Sequence, residues 1–386
     1  MKKKYIILSI ITLVLLIAFV TSFNYFKTSN NYVEDSVNNQ TKITKGISMN
    51  LEQTAGAGDY KTVTQSNWPG DDYTFNAELS KCENGSTLSW NNTKNVVVFS
   101  GNVSDKCYVY FDIYQPTLAE YIKSQYTGTQ GENNIYYHDS SLANGAGDNS
   151  YRYAGASDSV NNYICLGSDA TTCPDANLFR IIGVFGAQAK VIRAKSVGNK
   201  QWHSSSTPNT WSSSSLNTYL NGEYLTSLGT LADKIAITTW KVGGGTYENI
   251  GTSVPKTAYQ NEVGSSASST TYGAKIGLMY VSDYYYSASP SAWTLVGYNS
   301  SDATKDYRAA KTINWLSLGS YEWTISRNSE FTNGAFLVAG AGVSGAGYVS
   351  YSNVLSSNGV RPSFSLLSSI TYVSGSGSMS DPVRVN

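Results

Sequence analysis

The chain has 386 residues, with 27 basic and 27 acidic side chains, and only 14% of it is charged. Zero net charge and a pI near 6.7 supply no basic field for a phosphate backbone, which speaks against nucleic acid as a partner. A hydrophobic fraction of 41% with 30 Tyr, 11 Phe and 8 Trp is enough to build cores, so the chain is not disordered, and its length suits about two domains with flanking segments.

In chain order, Lys2, Lys3 and Lys4 precede an apolar run from Tyr5 to Val20 that extends weakly to Phe26. Positive charge ahead of an apolar stretch keeps that end in the cytoplasm and sends the rest across the membrane. Residues 1–27 therefore read as a single-pass signal anchor with the bulk of the chain extracellular. The alternative is a signal peptide cleaved near Val20-Thr21-Ser22, which leaves a secreted protein. Residues 28–45 are polar and lack apolar periodicity, as a stalk would.

Residues 46–115 alternate apolar and polar side chains. Leu88 and Trp90 precede the turn Asn91-Asn92-Thr93-Lys94, and Val96 and Val98 follow it, a hairpin signal. Cys107, Val109 and Phe111 alternate with Tyr108, Tyr110 and Asp112, as in a half-buried strand. A β-sandwich of Ig-like size is expected, without the Cys-Trp-Cys spacing of antibody domains. Four cysteines in an exported chain read as disulfides and allow three pairings. Pairing of sequence neighbours is favoured, Cys82 with Cys107 and Cys165 with Cys173.

Pro116 opens a short helical pattern carrying Leu118, Tyr121, Ile122 and Tyr126 on one face. Short strands follow at 151–154, 162–166, 178–185 and 190–194. Serines 212–215 offer N-cap hydroxyls ahead of the stripe Leu216, Leu220, Tyr224 and Leu228, the one clear helix of the larger domain. From about Lys275 to Val385 strand signals return. Helices this few exclude repeating βαβ units, so residues 116–386 should form an α+β domain rich in antiparallel sheet.

Four segments resemble a family of modular surface proteins of gut Gram-positive bacteria and their wall-less relatives. They are Asn162 to Cys173 running into Leu178-Phe-Arg-Ile-Ile-Gly183, Trp211 to Asn221, Glu322-Trp-Thr-Ile-Ser-Arg327, and Gly359-Val-Arg-Pro-Ser-Phe-Ser-Leu366. The stretch from Cys82 to Phe111 resembles the disulfide-bearing module that often accompanies them. The order of elements also resembles the C-type-lectin-like fold of formylglycine-generating enzymes and variable surface binders. The reactive cysteine pair of those enzymes has no counterpart, since no Cys follows Cys173, and the resemblance transfers no catalytic residue.

The remaining motifs are weak. Gly340-Ala-Gly-Val-Ser-Gly345 matches G-x-G-x-x-G but precedes a strand-like stretch, 348–351, and reads as a glycine-rich hairpin loop. His203 lacks an orienting partner for nucleophilic catalysis and reads as a surface loop residue. His138 and His203 stand too far apart in sequence for a zinc pattern. The Asx-rich loops 147–149 and 169–177 admit Ca²⁺ only weakly, and no other cofactor is indicated. Alternation over 280–293 would leave at least one of Tyr284, Tyr285 and Tyr286 facing out, and with Trp293 they are the candidate ligand contacts. The expected function is non-catalytic binding of glycans or surface proteins. A subunit of a surface filament or layer is the alternative, and a glycan or wall hydrolase a remoter one.

Overall fold

The structure is a computed structural model and describes residues 34–35, 46–63, 69–91, 93–342 and 345–386. The expected signal helix at residues 1–27 lies outside the described residues, as does the stalk apart from Glu34 and Asp35. Among the described residues no helix is long and apolar enough to cross a membrane. The chain divides between Gln115 and Pro116 into two compact units. Sheet predominates, with few helices.

The smaller unit contains β1 (Glu34–Asp35), β2 (Ile47–Glu52), β3 (Tyr60–Val63), β4 (Tyr73–Phe75), β5 (Lys81–Cys82), β6 (Thr87–Asn91), β7 (Val96–Ser100) and β8 (Cys107–Ile113). One sheet runs β3-β2-β8-β4 with β5 on β8, and the other runs β1-β7-β6. The pairing of β1 with β7 places two residues of the expected stalk in a sheet. Period-two alternation buries Val109 and Phe111 of β8 with Met49 and Leu51 of β2 against Val97 of the second sheet. Trp90 of β6 packs edge-on to Phe111, centroids 5.6 Å apart, which joins the two layers. The expected hairpin is present, with Trp90 opposite Val97 and Leu88 opposite Phe99. Cys82 faces Cys107 across β5 and β8, and the two are bonded.

The larger unit opens with α1 (Leu118–Ser124). Thr117 caps the Glu120 amide while Glu120 caps Thr117 in return, and Leu118, Ala119 and Ile122 are buried. Its first strands are β9 (Ile135–Tyr137), β10 (Tyr151–Tyr153), β11 (Tyr163–Cys165), β12 (Leu178–Phe185), β13 (Gln188–Arg193) and β14 (Asn199–Gln201). The helix expected from residue 216 runs as α2 (Ser215–Tyr219), a π-turn over Leu220–Tyr224, and α3 (Leu225–Ser227), with Ser214 capping the Asn217 amide. Leu216, Leu220 and Tyr224 are buried as the stripe requires. Next come β15 (Thr238–Lys241), α4 (Tyr247–Ile250), α5 (Pro255–Glu262), β16 (Thr271–Ala274) and α6 (Val281–Tyr286). The chain ends with β17 (Glu322–Arg327), β18 (Gly334–Val338), β19 (Val349–Asn353), β20 (Ser357–Gly359), β21 (Ser363–Ser365), β22 (Tyr372–Ser374) and β23 (Arg384–Val385).

Two main sheets result, β21-β13-β12-β10-β9 with β11 on β12, and β14-β20-β17-β18-β19. Strand β12 is buried along nearly its whole length because it lies mid-sheet, with neighbours on both edges. Cys165 and Cys173 are bonded.

Helix α6 overturns the strand expected over Tyr284–Tyr286. Three consecutive Tyr favour sheet by propensity, but the first-turn amides of this helix are satisfied by two buried carboxylates. Asp283 Oδ2 accepts the Tyr280 N–H, and Glu262 accepts those of Val281 and Ser282, each at 2.8 Å. Tertiary capping of this kind outweighs intrinsic preference.

Candidate functional site

The expected ligand contacts are interior residues. Tyr284, Tyr285, Tyr286 and Trp293 are each at most 1% exposed. Every polar tip is spent on backbone: Tyr284 Oη donates to Gly347 O, Tyr285 Oη to Ile250 O, Tyr286 Oη to Asn144 O and Trp293 Nε1 to Ala288 O. A helix packed on all sides can bury three successive rings, which a strand with one solvated face cannot. The recognition surface expected there is therefore not offered by these rings.

His203 is likewise buried rather than at the surface. Its neighbour Trp202 sits in the core with Nε1 donating to Thr324 O, and the His203 amide donates to Val354 O, which draws the segment inward. Nδ1 accepts the Ser205 amide, while the Ser205 hydroxyl donates to Thr207 O instead of to the ring. In the 147–149 loop the Asp148 carboxylate is held by Arg152 and Ser150, both at 2.6 Å, and in the 169–177 loop Asp175 lies 2.5 Å from Lys195. Among the described residues one grouping brings three possible metal ligands together, Cys82, Asp105 and Cys107, and its sulfurs are bonded to each other.

The segments that carried the family resemblance converge in the core. Arg361 Nη2 donates to Glu322 Oε2 at 2.7 Å, and Nε lies 2.7 Å from Oε1 without the alignment of a hydrogen bond; both side chains are 1% exposed. Arg180 Nε donates to Asn162 Oδ1 at 2.6 Å, with the guanidinium 4.7 Å from the Trp315 ring. These residues hold sheet and loops together.

A groove of about 320 Å³ lies where β14, β20 and the start of β17 meet the glycine-rich loop between β18 and β19. Residues 340–342 and 345–347 of that loop do connect an antiparallel pair, as the sequence implied. Gly340 and Gly342 stand close against Tyr321: a Cβ on Gly340 would meet Tyr321 N at 2.6 Å, and one on Gly342 would meet Tyr321 Oη at 3.0 Å. The loop backbone thus props the Tyr321 side chain, which remains 42% exposed. Asn199, Ser320, Ser357 and Asn358 line the same groove. Nδ2 of Asn358 is buried there with no protein acceptor. An amphipathic ring beside amides and hydroxyls suits a ligand with both C–H faces and hydroxyl groups. Sequence reading missed Tyr321 because its signal, a Tyr after Gly319-Ser320, is no different from many other Tyr in this chain.

A second cluster is wholly interior. Lys190 Nζ lies 2.5 Å from Asp283 Oδ2, Arg152 Nη1 lies 3.8 Å from Asp283 Oδ1, and His138 packs edge-on to Tyr286 at 4.8 Å. Burial pushes the Lys190 amine down, against the pull of Asp283, and pushes the Glu262 carboxyl up.

The architecture defines a β-rich, disulfide-bonded chain of two units. No family model, curated protein or solved structure matches it.

Proposed function

We propose that the chain is a membrane-anchored extracellular surface protein whose larger unit binds glycans without chemistry, the small sandwich acting as a spacer. The lysine-flanked apolar start, the two disulfides and the resemblance to modular surface proteins with a lectin-like domain support this location and role. The observation that carries the binding reading is the Tyr321 groove, where a propped and exposed ring stands beside amide and hydroxyl side chains on one shallow surface. A pyranose would lay its C–H face on the ring and hydrogen-bond through its hydroxyls to the Asn199, Ser320 and Ser357 side chains that line the groove.

An array of surface glycans probed with folded protein tests this. Selective retention is expected, weakened roughly tenfold, about 1.4 kcal/mol, by Tyr321→Ala with an unchanged melting temperature. Retention of no glycan, or equal retention by the variant, would refute the reading.

A further inference from the structure

Lys190 on β13 and Asp283 on α6 meet far from solvent, with side chains 8% and 3% exposed and Nζ 2.5 Å from Oδ2. The amine is walled by rings, its nitrogen 4.6 Å from the Tyr280 centroid, 5.3 Å from Trp240 and 5.7 Å from Phe185. The carboxyl is gripped from other sides by the Tyr280 amide at 2.8 Å and by Arg152 at 3.8 Å. Glu262 on α5 caps the same helix turn through the Val281 and Ser282 amides and accepts the Ser326 hydroxyl, so its oxygens are engaged there. An amine and a polarised carboxyl held together out of water have the parts for amide formation.

We propose that Lys190 and Asp283 condense into an intramolecular amide cross-link. The salt bridge carries three protons on nitrogen and none on the carboxylate. Two of them pass to one carboxyl oxygen, which leaves Cγ as water. The nitrogen lone pair forms the C–N bond, and the second oxygen remains as the amide carbonyl. Ammonium plus carboxylate gives amide plus water, so atoms and charge balance and no co-reactant is consumed. The Tyr280 amide and the Arg152 guanidinium stand where negative charge develops on oxygen in the tetrahedral intermediate. Burial supplies the drive: it raises the cost of the two ions and favours the free amine. After condensation Arg152 still has Asp148 at 2.6 Å, so no charge is left stranded.

Intact-mass measurement and peptide mapping of the purified full chain test the cross-link. The expected mass is one water below that of the disulfide-bonded sequence, with one fragment joining the peptides that contain Lys190 and Asp283. Lys190→Arg should restore the full mass. Wild-type protein of full mass with the two peptides separate would overturn the cross-link. So would a missing water that persists in Lys190→Arg, since it would lie elsewhere. If a variant does not fold, the wild-type peptide map alone distinguishes joined from separate peptides and so establishes or overturns the bond.

Discussion

His138 is a side chain whose protonation the interior resists. It is fully buried, its Nδ1 accepts the Ala146 amide, and its ring packs against Tyr286 and Trp293. Burial first, and then the positive charge of Arg152, hold it well below the ordinary value of 6.5. Unfolded chain therefore binds more protons than folded chain at acid pH, so His138 lends stability above pH 6.5 that is lost below it at about 1.4 kcal/mol per pH unit. Asp148 acts lower. Burial pushes its carboxyl up, but Arg152 and the Ser150 hydrogen bonds outweigh that and bring it to about 2 from 3.8. Its contribution, about 2 kcal/mol, is present above the unfolded value near 4 and is lost as pH falls toward 2. Chemical denaturation at stepped pH should show both windows. In His138→Gln, which can still accept the Ala146 amide, the decline between pH 6.5 and 5 should flatten while the lower one persists. An unchanged slope in that variant would show that the acid sensitivity arises elsewhere.

Among the elements, those whose pattern is set by one buried face were legible in advance. Strand β8 alternates, the 215–227 helix carries its stripe, and the β6–β7 hairpin has its turn residues. Helix α6 was not legible, since its amides are capped by Glu262 from nineteen and twenty residues upstream, which no local window can see. Nor was the groove, because its ring, its amides and its glycine loop come from four separate stretches. The glycine-rich motif drew notice for the wrong chemistry: the glycines at 340 and 342 admit Tyr321 and not a phosphate. Gly340→Ala tests that role, since its Cβ would press on the Ser320 and Tyr321 backbone at 2.8 and 2.6 Å. A destabilisation of about 1–3 kcal/mol is expected, together with weakened glycan retention. Gly342→Ala meets only the end of a side chain and should cost less. Equal effects at the two positions would contradict the packing assigned to the loop.

Across the molecule, the two units rest on unequal foundations. The larger owns an extensive core that includes six fully buried Trp. The smaller has five buried apolar side chains in its central cluster, Met49, Leu51, Val97, Val109 and Phe111. Small cores of that kind seldom supply more than about 3–5 kcal/mol without a staple. The bond from Cys82 to Cys107 spans 25 residues, and restriction of the unfolded chain by such a loop is worth about 3.5 kcal/mol, comparable to the whole stability of the unit. The bond from Cys165 to Cys173 spans 8 residues, worth about 2.5 kcal/mol within a much larger core. Replacing Cys82 and Cys107 by Ala should therefore abolish the smaller unit's transition in calorimetry while the larger unit melts as before. Replacing Cys165 and Cys173 should lower the larger unit's midpoint by only a few degrees, because a smaller loss is spread over a larger unfolding entropy. If loss of the first bond left both transitions in place, the sandwich would be shown to stand on its apolar core alone, and an oxidising environment would not be a condition of its fold.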